Sequence, residues 1–127
     1  QFNDKYGHPE GDKVLAELGN LLKQAVRPVD TPCRYGGEEF ALVLPGAVGT
    51  DIHEVAERVR KTFSWRSFNP ADGLKVRVTV SLGTAQLLPG DDAKSLVKRA
   101  DRALYTAKAR GKNKSVDAGK SHMGSVA

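Results

Sequence analysis

The sequence contains little sulfur and few aromatic rings. Its 127 residues include one cysteine, one methionine and one tryptophan, and aromatic residues make up 6% of the chain. The single cysteine, Cys33, excludes an intrachain disulfide and is typical of proteins of the reducing cytoplasm. No apolar run approaches the roughly 20 residues that a membrane-spanning helix needs. We therefore expect a cytoplasmic domain without a membrane segment of its own, which leaves open a membrane-anchored parent protein.

Positive charge is in surplus, with 20 lysines and arginines against 15 aspartates and glutamates and a net charge of +5. This balance suits an anionic partner, either nucleic acid or the phosphates of a nucleotide. The basic residues are scattered over several predicted helices, and no set of aromatic residues that would stack on bases accompanies them. We therefore expect nucleotide phosphates as the anionic partner and no nucleic acid.

Apolar residues recur every three or four positions in three segments, which predicts three amphipathic helices. These helices are expected at about residues 14–26, 48–63 and 93–109. Residues 64–73 are predicted to form a loop that exposes the aromatic rings of Trp65 and Phe68. Strict alternation from Leu74 to Leu82 predicts a strand with one buried face, and 113–117 could form a short last strand. Helices alternating with strands predict a mixed α/β fold with helices packed on a sheet.

Two adjacent glycines, Gly36 and Gly37, stand between two extended segments. The segments are 31–35 and 40–44, and the glycines supply the backbone freedom that a tight hairpin turn requires. Two carboxylates, Glu38 and Glu39, follow the turn. Because neighbouring side chains on a strand point to opposite faces, only one of them can face a given ligand or metal. By itself this pattern would also fit a solvated hairpin tip.

The order of motifs along the chain resembles the GGDEF diguanylate cyclase family. The resemblance is carried by Gly-Gly-Glu-Glu-Phe and by an Arg-x-x-Asp segment upstream of it, and it extends from Phe2 to about Val116. Further matches are Asn3-Asp4, Gly7-His8, Gly11-Asp12, Ser81-Leu82-Gly83 and the segment from Lys98 to Tyr105. The resemblance implies a nucleotide-cyclase-like central mixed sheet flanked by helices, with a β-hairpin that carries the Gly-Gly-Glu-Glu-Phe motif. It also implies one domain over residues 1–117. Residues 118–127 do not resemble the family and are expected to be a non-native or disordered tail.

The activity that the resemblance implies is the condensation of two GTP molecules into cyclic di-GMP with release of two pyrophosphates. Such chemistry needs a divalent cation, Mg²⁺ or Mn²⁺, to offset phosphate charge. By resemblance Glu38 is a catalytic residue and a metal ligand, and Glu39 is expected to help to deprotonate the attacking hydroxyl. Gly36 and Gly37 would let the base and the sugar pack against bare backbone.

Four further residues match the positions with which the family holds GTP. Asn3 and Asp12 match the pair that contacts the guanine edge, although both residue types are also common in turns and helix caps. Lys98 and Arg102 lie four residues apart on one helix face and match the residues that contact the triphosphate. The alternative is a solvated basic face, and this is what we expect for Arg99 between them.

A second site is implied by Arg27 and Asp30, which match the inhibitory Arg-x-x-Asp motif of the family. An arginine can pair with a guanine edge or a phosphate, and an aspartate can accept hydrogen bonds from guanine. Arg58 matches a second arginine that contacts the same cyclic di-GMP. Alternatively, Arg27 caps a helix C-terminus and Asp30 is a turn residue.

The sequence departs from the family pattern at its beginning. It opens two residues before Asn3, without the family's first strand, the metal-binding aspartate on it and the turn after it. Because that strand lies in the middle of the family's sheet, we expect the chain to be incompetent in catalysis without it.

Three functions of different classes remain. The first is a cyclase domain that works as a homodimer of GGDEF domains under an upstream sensory or receiver domain. The second is a catalytically inactive receptor for cyclic di-GMP, and the third and weakest is nucleic-acid binding. The intact Gly-Gly-Glu-Glu-Phe motif favours the enzyme, because a receptor would not need it.

Overall fold

The computed structural model describes residues 5–36 and 39–118, and at 33–36 and 39 it describes the backbone alone. By its internal contacts the chain divides into two compact units. The first consists of Gln1–Pro45 with Thr62–Val78, and the second of Gly46–Lys61 with Thr79–Ala127.

The first unit begins with helix α1, His8–Ala25. Gly7 precedes it with φ of 91°, a left-handed conformation that costs glycine little, and Pro9 fits the first turn because no backbone N–H is needed there. The helix ends where the backbone of Val26 becomes extended, one residue before Arg27-Pro28. The buried Val14, Leu21 and Leu22 belong to the predicted apolar period, but the helix begins at His8, before the predicted start at about residue 14, and also buries Gly11.

The predicted hairpin follows α1. Strand β1, Thr31–Gly36, pairs antiparallel with strand β2, Glu39–Val43. Cys33 lies opposite Ala41, and the register is irregular between Arg34 and Gly36, next to the turn. The two extended segments were therefore predicted correctly to within one residue at each end.

A second hairpin completes the first unit and was not predicted. Strand β3, Ser67–Ala71, lies within the segment expected to be a loop, and it pairs antiparallel with strand β4, Leu74–Arg77. Phe68 is half-buried rather than exposed, because its ring packs on the fully buried Phe63 with 5.7 Å between ring centroids. This contact with another element, and not local periodicity, decides which face of β3 is inside.

The second unit is built around helix α3, Ala93–Ala109, which has the predicted bounds. Asp92 and Ser95 form a reciprocal capping box at its start. Strand β5, Leu82–Thr84, pairs in parallel with strand β6, Ser115–Asp117. The strand predicted over 74–82 is thus divided, because β4 ends at Arg77 and β5 begins at Leu82.

The core of the second unit depends on small residues. Ala103 and Ala107 of α3 are fully buried and cluster with Val116 of β6. Gly83 of β5 lies so close to α3 that a Cβ there would overlap the backbone of Ala100 and Leu104. Helix α2, Gly49–Ser64, contributes the buried Ala56 to this unit.

The architecture is a mixed α/β fold, as predicted. Within the described residues the strands pair as three two-stranded sheets, β1 with β2, β3 with β4 and β5 with β6. In that same part of the chain, no helix is both long enough and apolar enough to cross a membrane.

Candidate functional site

A groove of about 520 Å³ runs along α1 beside the first hairpin, both in the first unit. Its size falls within the range of small-molecule sites. Helix α1 supplies one wall, and the hairpin supplies Pro32 and Phe40. The helical lining residues are Asp12, Leu15, Ala16, Gly19, Asn20 and Lys23.

The lining of the groove combines an apolar floor with charge at its two ends. Leu15 and Phe40 are half-buried, whereas Asp12 and Lys23 are exposed. These helical residues recur at three- and four-residue steps, so one face of α1 points at the hairpin. The groove can therefore hold a flat, partly apolar ligand that offers hydrogen-bond donors to the carboxylate of Asp12.

Among the described residues that were predicted to bind GTP, only Asp12 lines this groove. It is the fifth residue of α1, so the alternative that it caps the helix is wrong, since the cap position is Gly7. The other predicted guanine contact, Asn3, lies outside the described residues. Sequence reasoning missed four other helical residues of the groove. Their three- and four-residue spacing from Asp12 could have identified them, and they are Leu15, Ala16, Gly19 and Lys23.

The hairpin lies close to α1 at Gly19. A Cβ on Gly19 would lie 3.5 Å from a ring carbon of Phe40, which is ordinary van der Waals contact. A small residue at this step of the helix thus allows the aromatic ring to lie over it. Phe40 is the last residue of the Gly-Gly-Glu-Glu-Phe motif. Its place in that motif is the sequence signal that could have identified it as a residue of the groove.

The remaining motif residues are described only in part. Gly36 ends β1 and Glu39 begins β2, each as backbone, whereas Gly37 and Glu38 lie outside the described residues. Nowhere in the described residues do three His, Cys, Asp or Glu side chains converge so as to hold a metal ion. The predicted metal ligand Glu38 thus stays a prediction.

Arg27 and Asp30 are brought together in the turn between α1 and β1. The Nη2 of Arg27 donates to Oδ1 of Asp30 at 2.6 Å, and its backbone N–H donates to Oδ2 at 2.8 Å. The N–H of Asp30 closes the turn on the carbonyl of Arg27 at 3.0 Å. Asp30 is therefore a turn residue as well as a partner of Arg27.

The two partners differ in exposure. The side chain of Asp30 is 2% exposed, and that of Arg27 is 53% exposed while its Nη2 also donates to the carbonyl of Pro45 at 2.8 Å. Hydrogen bonds from the Arg27 side chain hold the pKa of Asp30 below its usual range, against the effect of burial. The pair thus presents a positioned guanidinium to solvent, with the carboxylate behind it.

Helix α3 carries the predicted phosphate ligands in the second unit. Lys98 and Arg102 are both exposed, as one shared helix face requires. Arg99 does not belong to a solvated face, contrary to our prediction, because its Nη2 donates to the carbonyl of Gln86 at 2.8 Å and to the carboxylate of Asp91. Arg58 is exposed on α2 and also lies in the second unit.

Comparison with known proteins defines the class to which this fold and groove belong. Residues 1–114 match the family model described as diguanylate cyclase, GGDEF domain. The chain therefore belongs to the GGDEF domain family, and the resemblance seen in the sequence is confirmed.

Two named relatives illustrate the match. The response regulator PleD of Caulobacter vibrioides is 44% identical over 115 residues, which are 89% of this chain and 25% of that protein. Diguanylate cyclase A of Treponema denticola is 43% identical over 114 residues, 89% of this chain and 30% of that protein. The chain thus spans a third or less of the length of these relatives.

Solved structures show the same fold. The GGDEF domain of DgcB from Caulobacter crescentus, solved in complex with c-di-GMP, has a TM-score of 0.88 at 33% identity, covering 93% of this chain and 70% of that one. The active GGEEF domain of a diguanylate cyclase from Vibrio cholerae has a TM-score of 0.85 at 32% identity, with 91% and 73% coverage.

Proposed function

We propose that the chain is the catalytic domain of a diguanylate cyclase, which joins two GTP molecules into cyclic di-GMP and releases two pyrophosphates. The 3′-oxygen of each GTP bonds to the α-phosphorus of the other, the hydroxyl gives up its proton, and the bond to pyrophosphate breaks. The observation that carries this proposal is the groove between α1 and the Gly-Gly-Glu-Glu-Phe hairpin, with Asp12 at one end, in a member of the GGDEF family.

The groove is proposed to receive the guanine base. A carboxylate accepts hydrogen bonds from the N1 and N2 groups of guanine, and Asp12 lines the groove with its side chain exposed. Asn3 would complete the contact with the base edge. The apolar side chains of Leu15 and Phe40 would pack against the face of the base. Gly36 and Gly37 would admit the sugar beside bare backbone.

The triphosphate is proposed to meet Lys98 and Arg102, whose exposed cations are four residues apart on α3. Glu38 would hold Mg²⁺ or Mn²⁺, which when bound supplies charge to offset that of the phosphates. Glu39 would help to take the proton of the attacking 3′-hydroxyl.

Catalysis on this proposal requires two copies of the domain. Each domain holds one GTP, so the second nucleotide comes from a facing GGDEF domain, which turns a chance encounter into an oriented reaction. The net charge of +5 opposes association of two isolated copies. An upstream sensory or receiver domain is therefore proposed to bring the copies together. Solved relatives include a GGDEF domain with a coiled coil and a diguanylate cyclase in complex with its activator SiaC.

Product inhibition is proposed at Arg27, Asp30 and Arg58. The half-exposed guanidinium of Arg27 is held in place by Asp30 and could pair with a guanine edge or a phosphate of cyclic di-GMP. Because Asp30 already accepts hydrogen bonds from Arg27, the ligand would compete for that carboxylate or contact the arginine alone.

The main test measures cyclic di-GMP formed from GTP and Mg²⁺. The assay uses this chain and, in parallel, a version that carries ahead of Gln1 the strand and aspartate of the family motif. In whichever form is active, Glu38→Gln should abolish product. Glu54→Gln, which removes the same charge from an exposed position of α2, should retain it. Full turnover by Glu38→Gln would contradict the assignment of the metal ligand.

A second test separates the cyclase from the inactive receptor. Arg27→Ala should relieve inhibition by cyclic di-GMP without lowering the initial rate. Arg110→Ala, at an exposed position just after α3, is the control. Because Arg27→Ala leaves the carboxylate of Asp30 without its main partner, the thermal unfolding of this variant is measured as well. Binding of cyclic di-GMP without any product from either form would favour the receptor. If the inhibition curve of Arg27→Ala overlays that of the parent, the second site lies elsewhere.

A further inference from the structure

The groove along α1 is longer than a purine base. Asp12 and Lys23 both line it, and their positions on the helix are about 16 Å apart along the axis. A ring carbon of Phe40 lies 3.5 Å from the place of a Cβ on Gly19, so this ring stands between the two ends. A base held at Asp12 therefore leaves the end of the groove at Lys23 to another group.

This end of the groove, called the Lys23 half, lies where the chain turns from α1 into the hairpin. Only residues 26–30 connect α1 to β1, so Pro32 near the start of β1 lies beside the last turn of the helix. Pro32 is paired with Leu42, two residues from Phe40 on β2, and the two rings thus project from the same side of the hairpin. The Lys23 half consists of Asn20, Lys23, Pro32 and Phe40.

The two polar side chains of the Lys23 half are exposed and make no hydrogen bond or ion pair with another described residue. Charged side chains elsewhere on α1 do have partners. Lys13 donates to Glu10 at 3.1 Å, and Glu17 accepts from Arg66 at 2.6 Å. The helix thus pairs charges outside the groove, whereas an ammonium and an amide inside it remain available to a ligand.

A lysine beside two apolar rings suits an anion that is carried by a flat apolar body. The ammonium of Lys23 can donate to a phosphate or carboxylate oxygen, and the amide of Asn20, one turn earlier, can donate a second hydrogen bond. Lys23 lies in the last turn of α1, where the helix dipole opposes a bare anion. Contact of the ligand with Pro32 and Phe40 must therefore supply part of the affinity, which favours an aromatic anion over a free inorganic one.

We propose that the Lys23 half binds a planar aromatic molecule that carries one phosphate or carboxylate. The anion would pair with Lys23 and Asn20, and the ring would lie against Pro32 and Phe40. This site is distinct from the end of the groove at which Asp12 is proposed to take guanine, and binding there does not depend on the cyclase activity. Aryl phosphates and aryl carboxylates share this chemistry, and the experiment distinguishes them.

NMR titration of the isotope-labelled 127-residue chain with phenyl phosphate, benzoate and inorganic phosphate measures the binding. A ligand of so few atoms is expected to bind with a Kd in the millimolar range. At least one aromatic ligand should shift the amide signals of Gly19, Asn20 and Lys23 in a saturable way. Inorganic phosphate should bind about tenfold more weakly, since it buries no ring. The tighter of the two aromatic ligands identifies the preferred anion.

Variants at the two ends of the groove locate the anion. Lys23→Ala should lower the affinity by about tenfold or more, the loss of one charge-assisted hydrogen bond, and Lys23→Arg should restore most of it. Lys13→Ala is the control, because it removes the same charge from the same helix outside the lining of the groove. Asp12→Ala should bind no more weakly than the parent, since it removes a negative charge from the other end.

Substitutions of Gly19 test the apolar part of the site. The side chain introduced by Gly19→Leu would extend into the space beside the Phe40 ring and should block both aromatic ligands. The methyl group of Gly19→Ala makes ordinary van der Waals contact with that ring and should leave binding in place. Circular dichroism checks that each variant is folded, and the Lys23 variants decide the question if Gly19→Leu is not.

Three results would overturn the proposal. The first is that neither aromatic ligand shifts these amide signals at about 10 mM. The second is that inorganic phosphate binds as tightly as the aromatic ligands. The third is that Lys13→Ala lowers the affinity as much as Lys23→Ala does.

Discussion

Neighbouring cations of α3 serve different purposes. Arg99 is 27% exposed and donates to the carbonyl of Gln86 and to Asp91, which fixes the loop before the helix. Lys98 and Arg102 are exposed and form no ion pair with another described residue. Of these three cations, one holds the fold and two remain available to an anion.

Arg99 and a second arginine, Arg60, belong to hydrogen-bond networks within the fold. The backbone N–H of Leu88, the Ser95 hydroxyl and the Arg99 guanidinium together hold the pKa of Asp91 below its usual range. Arg60 of α2 likewise donates to Glu57 and reaches Oδ1 of Asn113, just beyond α3. A cation with several acceptors in its own fold is structural, and an exposed one without them is a better candidate for ligand binding.

The largest effect is expected where α3 packs against β5. Gly83→Ala places a methyl group inside the backbone of Ala100 and Leu104, which cannot yield as a flexible side chain would. Overpacking of this kind should lower the free energy of unfolding by about 3 kcal/mol or more, measured by chemical denaturation. Gly49→Ala is the control, since its Cβ would meet only the movable side chain of Gln86 at 3.3 Å. Equal stability of the two variants would show that this contact is not tight.

An intermediate effect is expected at Glu57. Hydrogen bonds from Arg60 lower its pKa from 4.5 to about 2. Since the folded-state pKa is depressed, the stabilisation is complete above pH 4.5 and is lost as the pH falls towards 2. The side chain is 25% exposed, so solvent screening limits the contribution to about 1 kcal/mol.

Glu57→Gln should remove that part of the pH dependence of unfolding. The measurement is chemical denaturation at a series of pH values between neutrality and pH 2, with Glu54→Gln as the control for loss of one negative charge from the same helix. A stability curve parallel to that of the parent over the acid range would contradict the assigned ion pair.

The smallest effect on stability is expected at the two exposed cations of α3, Lys98 and Arg102. Lys98→Ala with Arg102→Ala should change the free energy of unfolding by no more than about 0.5 kcal/mol, because both side chains are exposed. The same variant should weaken binding of GTP on the proposed function. Arg99→Ala is the matched comparison and should destabilise the chain more, since it frees the carbonyl of Gln86 and a half-buried carboxylate. The distinction between the structural and the exposed cations fails if the order of stabilities is reversed.

The sequence by itself determined the three helices, apart from the start of α1 at His8, together with the first hairpin and the family. Helix α3 was predicted with its observed bounds, because its apolar residues recur with the helical period through most of the segment. The glycine pair between two extended runs was sufficient for β1 and β2. Local patterns of this kind are readable because each element carries its own signal.

Only the tertiary structure decided which residues the elements bring together. Strand β3 was missed because its inner face is defined by Phe63 on another element. Arg99 was misjudged because its carbonyl partner is 13 residues away, beyond the reach of helix periodicity. Asp12 was linked to a groove only when the hairpin ring of Phe40 was placed beside α1. The sequence names the residue types and their spacing, whereas exposure and pairing arise from packing between segments distant in the chain.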